Sequence, residues 1–265
     1  AKLAAAEPNR ADYARDLSVS YERMGDLLRS LGQGEAARQY YEKALEIAAK
    51  LAAAEPNRAD YARDLSVSYE RMGDLLISLG QGEAARQFYE KDLEIAAKLA
   101  QAEPNRLDYA RDLSVSYNKM GDLLRSLGEG EAARQFYEKA LDIRAKLAQA
   151  EPNRLDYARD LAVSYNKMGD LLRSLGQGEA ARQFYEQALD IRAKLAQAEP
   201  NLLERQLDLV VSFYKLSFLS PPKEKREHLN RARQILLELK RRGKLPPANA
   251  GWLDAVEEEL SKSEG

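Results

Sequence analysis

The sequence contains no cysteine and a single histidine, His228. Disulfides are therefore excluded, and so is a zinc site built from Cys and His ligands. A cysteine nucleophile is excluded as well, and no acid or serine stands at a spacing that would make His228 half of a catalytic pair. Apolar runs fall short of the roughly 18 residues a membrane helix needs. No signal peptide is visible. An excess of either charge is missing too: 41 basic and 43 acidic residues leave a net charge of −2, with a pI near 5.8. A solenoid that tracks phosphates normally shows a basic face, so neither nucleic acid nor membrane is an expected partner. The closely spaced glycines fall in Gly-Gln-Gly or Gly-Glu-Gly turns and not in a phosphate-cradling loop. These absences lead to an expectation of a cytoplasmic chain with no cofactor and no catalytic apparatus.

What the chain has is repetition. Glu-Pro-Asn-Arg begins at Glu7, Glu55, Glu103 and Glu151, and Glu-Pro-Asn-Leu at Glu199, each 48 residues from the last. A period between about 20 and 50 residues marks stacked supersecondary units, none able to bury its apolar face alone. Residues 1–6 match residues 49–54, which end a helix in the later units. The expected layout is the tail of a truncated repeat at 1–8, four repeats over 9–200, and a degenerate fifth repeat with a closing helix over 201–265. An apolar edge is then left open at the N-terminal side.

Within the first unit, Pro8 ends the preceding helix and Asn9 is placed to cap the next, with Asp12 three residues on. Ala14, Leu17, Tyr21, Met24, Leu28 and Leu31 step by three and four, as one buried helical face does. Gly32-Gln33-Gly34 breaks the run. A second helix follows through Ala37, Tyr41, Ala44, Ala48 and Leu51. The fold class is all-α, built from antiparallel helix pairs with helices of roughly 20 residues, about 30 Å long. Gly25 recurs inside the first helix as Gly73, Gly121 and Gly169, although glycine there costs on the order of 1 kcal/mol against alanine. That repetition predicts a close backbone approach, with Tyr21 and Tyr41 filling the space beside it.

Tyr21, Met24, Gly25, Leu28, Gly32, Ala37, Tyr41 and Ala44 resemble, in order and spacing, the signature of the tetratricopeptide (TPR) family. The match recurs from Tyr69, Tyr117 and Tyr165, and weakly from Phe213. The family's usual period is shorter, and the extra residues here lengthen both helices, so the chain is similar to long-helix variants such as those of kinesin light chain and bacterial signalling proteins. The resemblance implies a right-handed α-solenoid, a TPR-like superhelix, whose concave face is lined by the first helix of each pair and binds protein.

Carried onto this chain, that groove holds a carboxylate row of Asp26, Asp74, Asp122 and Asp170. Beside it run Glu22, Glu70, Asn118 and Asn166, then Arg29, Ile77, Arg125 and Arg173, with Tyr214 and Phe218 at the C-terminal end. The family's carboxylate-clamp residues are not in place, so a basic or mixed-charge protein or peptide segment is the expected partner. Asp26 and Arg29, one turn apart, could instead pair with each other or with the next repeat. Tyr214 and Phe218 are either anchors or are covered by a last helix bearing Trp252. Asp92 stands where the other units have alanine; it either tilts outward beside a Lys or Arg or has an ionic or ligand role. The function expected is a non-catalytic interaction scaffold, the sensor or docking arm of a larger protein. The alternative is a structural array that self-associates end to end.

Overall fold

The computed structural model describes residues 10–262; the expected partial repeat at 1–8 and the Asn9 cap lie outside them. Eleven α-helices and no strand occur among the described residues. In chain order they are α1 (Ala11–Ser30), α2 (Gly34–Ala54), α3 (Ala59–Ser78), α4 (Gly82–Ala102), α5 (Leu107–Ser126), α6 (Gly130–Ala150), α7 (Leu155–Ser174), α8 (Gly178–Ala198), α9 (Leu203–Ser217), α10 (Pro222–Arg241) and α11 (Gly251–Lys262). They fall into two compact units, residues 1–143 and 144–265, that divide within α6.

The helix starts depart from the capping expectation. In the later repeats arginine, not asparagine, holds the N-cap position: Arg58, Arg106 and Arg154 are extended and cap nothing with their side chains. The guanidinium of Arg58 instead forks onto Asp60 in the first helical turn, at 2.8 and 2.7 Å. It also lies 4.1 Å from the ring centre of Tyr61. An arginine that clamps the first-turn acid fixes the chain entry while the carboxylate faces the positive helix end. The first helices α1, α3, α5 and α7 each end on a left-handed glycine, such as Gly32 at φ 73°. The following amide, Gln33 N, donates to Leu28 O at 2.9 Å, satisfying a carbonyl the helix leaves open.

In the 1–143 unit α1 packs on α2, α2 on α3, α3 on α4 and α4 on α5. The recurring interior glycine accommodates a side chain and not, as the sequence predicts, a backbone. A Cβ on Gly73 would stand 2.5 Å from Cε1 of Tyr89, and one on Gly121 would stand 2.6 Å from Cε1 of Tyr137. The ring edge occupies the missing methyl's space. Met72, Leu75, Leu76 and Tyr89 are buried around it. Tyr21 does something else: its ring packs on Tyr40 with centroids 5.9 Å apart.

In the 144–265 unit α7 packs on α8, α8 on α9, α9 on α10 and α10 on α11. Gly169 and Tyr185 repeat the same contact. The periodic pattern gives way to an apolar cluster of Val210, Phe213, Leu229, Leu236, Leu253 and Val256, which joins α9, α10 and α11. Pro222 opens α10 at a position that needs no amide donor.

Candidate functional site

The aspartate row is a set of clasps. Tyr41 donates its hydroxyl to Asp26 at 2.7 Å, Tyr89 to Asp74 at 2.7 Å, Tyr137 to Asp122 at 2.6 Å and Tyr185 to Asp170 at 2.6 Å. The same tyrosines are those whose rings cover the glycines. Burial, together with the carboxylate that accepts each hydroxyl, pushes the Tyr41, Tyr89 and Tyr137 phenols well above their ordinary range. A cation from the next first helix then closes the clasp: Arg71 on Asp26, Lys119 on Asp74 at 2.6 Å, and Lys215 on Asp170. The pairing of Asp26 with Arg29 does not occur. Arg29 reaches forward to Asp74 at 3.6 Å. Asp26, Asp74 and Asp170 are thus neutralised within the chain, and there they hold one helix pair to the next.

The second row is mostly buried. Glu22, Asn118 and Asn166 are buried between helices, whereas Glu70 keeps a partly exposed carboxylate 3.2 Å from Lys119. Burial raises the Glu22 carboxyl, against the hydroxyl of Ser68 at 2.7 Å and the guanidinium of Arg71 at 3.3 Å. The third row is the outward one: Ile77, Arg125 and Arg173 are exposed and Arg29 half-buried.

At the C-terminal end, Tyr214 and Phe218 meet edge to face with centroids 4.9 Å apart. α11 does not cover them completely, since Phe218 remains 41% exposed. Trp252 instead forms one wall of an apolar cavity of about 390 Å³, shared with Val210, Val211, Tyr214 and Phe218. Arg173 stands at its edge, 6.0 Å from the Phe218 ring centre, and makes no ion pair among the described residues. A larger cleft of about 630 Å³ lies between the start of α9 and the end of α10. Among its charges, Arg241 and Arg242 both lie on Glu238 and Arg233 lies on Glu257.

Asp92 does not tilt outward. It is 3% exposed, and Ser66 donates to its Oδ1 while Oδ2 has no hydrogen-bond partner. Burial drives its pKa up to about 6, against the opposing pull of the Ser66 and Ser116 hydroxyls. Its α-helical position fixes this outcome: it follows Tyr89 by three residues on the buried face of α4, where the other pairs carry Ala44, Ala140 and Ala188.

Sequence reasoning missed the cations that close the aspartate clasps. The signal was there, since Arg71, Lys119 and Lys215 occupy one place in the 48-residue period. It also missed Arg144 and Arg192, each 5% exposed, because buried arginine is rare enough to read as surface. No group of three or more residues able to hold a metal ion occurs among the described residues, and no described helix is long and apolar enough to cross a membrane.

Comparison with known proteins agrees with this geometry. The tetratricopeptide repeat family model matches residues 16–91 and 112–194, so the chain belongs to that family. Such repeats are generally protein-interaction scaffolds and generally non-catalytic. Among solved structures, BtubC (BKLC) from P. vanneervenii is similar with a TM-score of 0.62 and 23% identity, over 91% of this chain and 84% of that one. The signal transduction ATPase with numerous domains (STAND) protein from Pyrococcus horikoshii, which has a tetratricopeptide repeat sensor, is similar with a TM-score of 0.59 and 17% identity. That match covers 95% of this chain but 36% of the ATPase. At these identities the likeness is one of fold. No curated protein matches the chain.

Proposed function

We propose that the chain captures a protein or peptide segment of mixed charge, anchored by an apolar side chain in the cavity of Tyr214, Phe218 and Trp252. The observation that carries this reading is the cavity itself, about 390 Å³ of apolar wall beside an unpaired guanidinium. Aromatic and arginine side chains around a pocket are the composition of binding hot spots. Within the same unit, the exposed Arg173 supplies a charged contact at the edge of that cavity. The aspartate row contributes rigidity more than charge, because each carboxylate already has a tyrosine partner. A sensor or docking arm of a larger protein is the use that suits such a surface.

Selection of a random peptide library on the chain tests this. Enriched peptides should shift the emission of Trp252, the only tryptophan, and should bind Phe218→Ala and Arg173→Glu at least tenfold more weakly. Peptides that bind both variants as well as the parent would sink the reading. Reversing Asp74 and Asp122 is a poorer test, since it breaks the Tyr89 and Tyr137 bonds as well.

A second reading has its own observation. Met24 and Leu27 are 41% and 53% exposed, whereas their equivalents Met72 and Leu75 are buried. Such a face suits either a preceding helix pair of a longer chain or a second copy of this one, and light scattering over a concentration series tests the second: a strict monomer excludes it.

A further inference from the structure

A cavity of about 120 Å³ lies between α3, α4 and α5, lined by Ser66, Glu70, Asp92, Ala96, Asp112 and Ser116 among others. This is far above the roughly 10–15 Å³ that a single water needs. Its lining holds three carboxylates, Glu70, Asp92 and Asp112, and one cation, Arg63. Arg63 is taken up by Asp112 at 2.5 Å, and Glu70 lies 3.2 Å from Lys119. The unpartnered oxygen in the cavity is Oδ2 of Asp92, on a residue 97% buried by its 3% exposure.

The later helix pairs show what such a space accepts. In α8, Arg192 stands where α4 has Ala96. Its Nη1 donates to the carbonyl of Asp208 at 3.2 Å and to the hydroxyl of Ser212 at 2.9 Å. Asn166, with its carbonyl oxygen turned toward Arg192, accepts from Nη2 at 2.8 Å. In α6, Arg144 does likewise with the carbonyl of Asp160 at 2.9 Å and the hydroxyl of Ser164 at 3.1 Å. Every one of those acceptors has its counterpart around the α4 cavity. Asp112 stands for Asp160 and Asp208, Ser116 for Ser164 and Ser212, and Glu70 for Asn166. What is missing is the guanidinium, because Ala96 replaces the arginine. The Ser116 hydroxyl donates to Asp112 O on its own helix at 3.3 Å. Asp92 then adds a carboxylate that the arginine-filled pairs lack, since they carry Ala140 and Ala188 there.

The corresponding space beside α2 is a useful contrast. It also lacks an arginine, having Ala48, but its volume is about 60 Å³. Both of its carboxylates are already met, Glu22 by Ser68 at 2.7 Å and Arg71 at 3.3 Å, and Asp64 by Arg15.

We propose that the α3–α4–α5 cavity is a binding site for a guanidinium group supplied from outside the chain, held by Asp92 and Glu70 with Ser116 and the Asp112 carbonyl. Guanidinium presents planar donors in fixed directions, and a carboxylate next to a carbonyl and a hydroxyl is the acceptor set that suits them. The source is either a free small guanidino compound or the arginine side chain of a bound protein. The proposal does not rest on the anchoring cavity of α9 and α11, and its test uses neither Phe218 nor Arg173.

The test titrates the full chain at neutral pH and constant ionic strength with methylguanidinium, N-acetyl-arginine amide and, as control, sodium chloride. Binding is read by calorimetry and by shifts of amide resonances in α3–α5. Saturable one-to-one binding of methylguanidinium is expected, with sodium giving none. Asp92→Asn, which keeps the shape, should weaken it at least tenfold. Ala96→Arg, which places an internal guanidinium as in α6 and α8, should abolish it while raising the melting temperature. Circular dichroism checks that both variants remain helical. Binding of N-acetyl-arginine amide as well supports the site and assigns the source to a protein arginine; binding of methylguanidinium alone supports it and assigns a small molecule. No saturable binding to the parent chain, or equal binding to Asp92→Asn and Ala96→Arg, overturns the proposal.

Discussion

Asp92 shows how one side chain departs from a repeat and makes the departure measurable. Its carboxyl has an ordinary value of 3.8 and is raised to about 6 by burial. A folded-state pKa above the unfolded one favours folding fully at pH below about 4, and that contribution is lost as pH rises through about 6. At pH 7 the ionised group therefore opposes folding, on the order of 3 kcal/mol. The groups facing it are Arg63 and Glu70 from α3 and Asp112 from α5, and the carboxylates among them act in the same direction as burial. Asp92→Asn should be more stable than the parent at pH 7, and the advantage should shrink steadily toward pH 4. Urea unfolding followed by circular dichroism checks this, urea being preferred because guanidinium salts would enter the proposed site. A difference that does not change with pH refutes the assignment. Tyr89 offers the opposite case. Its hydroxyl serves Asp74 at 2.7 Å, so Tyr89→Phe should cost about 1.5–3 kcal/mol, the usual worth of a hydrogen bond to a charged group, with little change in helicity of the folded state.

At the scale of the element, the unit of construction is a helix pair locked by a glycine, a tyrosine and an aspartate. Gly73→Ala should gain about 1 kcal/mol from helix propensity. It must also push its Cβ into a Tyr89 ring atom only 2.5 Å away. The ring is 3% exposed and bonded to Asp74, so it has nowhere to swing. Overpacking of this kind costs about 1–3 kcal/mol, and the net result should be destabilisation, seen as a lower urea midpoint. A pair that becomes more stable would show that the ring can yield. The helix pairs themselves were legible in the sequence, because a 3.6-residue apolar stripe and a Gly-Gln-Gly break are local signals. The clasp was not, because it joins residues 15 and 45 positions apart whose partnership depends on how helices pack. Gly25 and Asp26 could be read as special; that Tyr41 covers one and bonds the other could not. The arginine caps at Arg58, Arg106 and Arg154 misled for a related reason. Asn-before-helix is the commoner pattern, and a bidentate Arg–Asp clamp two residues apart overrides it here.

At the scale of the molecule, periodicity determines how damage spreads. In a stacked array each pair leans on its neighbours, so stability is nearly a sum of local and nearest-neighbour terms. Where the period decays, α11 takes the place of a regular repeat by burying Leu253 and Val256 against Leu229, Leu236 and Val210. Val256 is 1% exposed, and an aspartate placed there would be an unpaired charge in an apolar cluster, a burial too costly to sustain. Val256→Asp should therefore undock α11 and not merely strain it. The expected readouts are a red-shifted, quencher-accessible Trp252 and loss of amide protection in α10 and α11, because Leu229, Ala232 and Leu236 lose their cover. Protection in α1 to α4 should stay as in the parent, since none of their buried residues touches that cluster. Peptides anchored in the cavity of Tyr214, Phe218 and Trp252 should be lost with α11, because Trp252, Ala255 and Val256 form one of its walls. Methylguanidinium should still bind beside Asp92. Loss of both ligands together would mean that the chain unfolds as a single cooperative body and that the nearest-neighbour description fails.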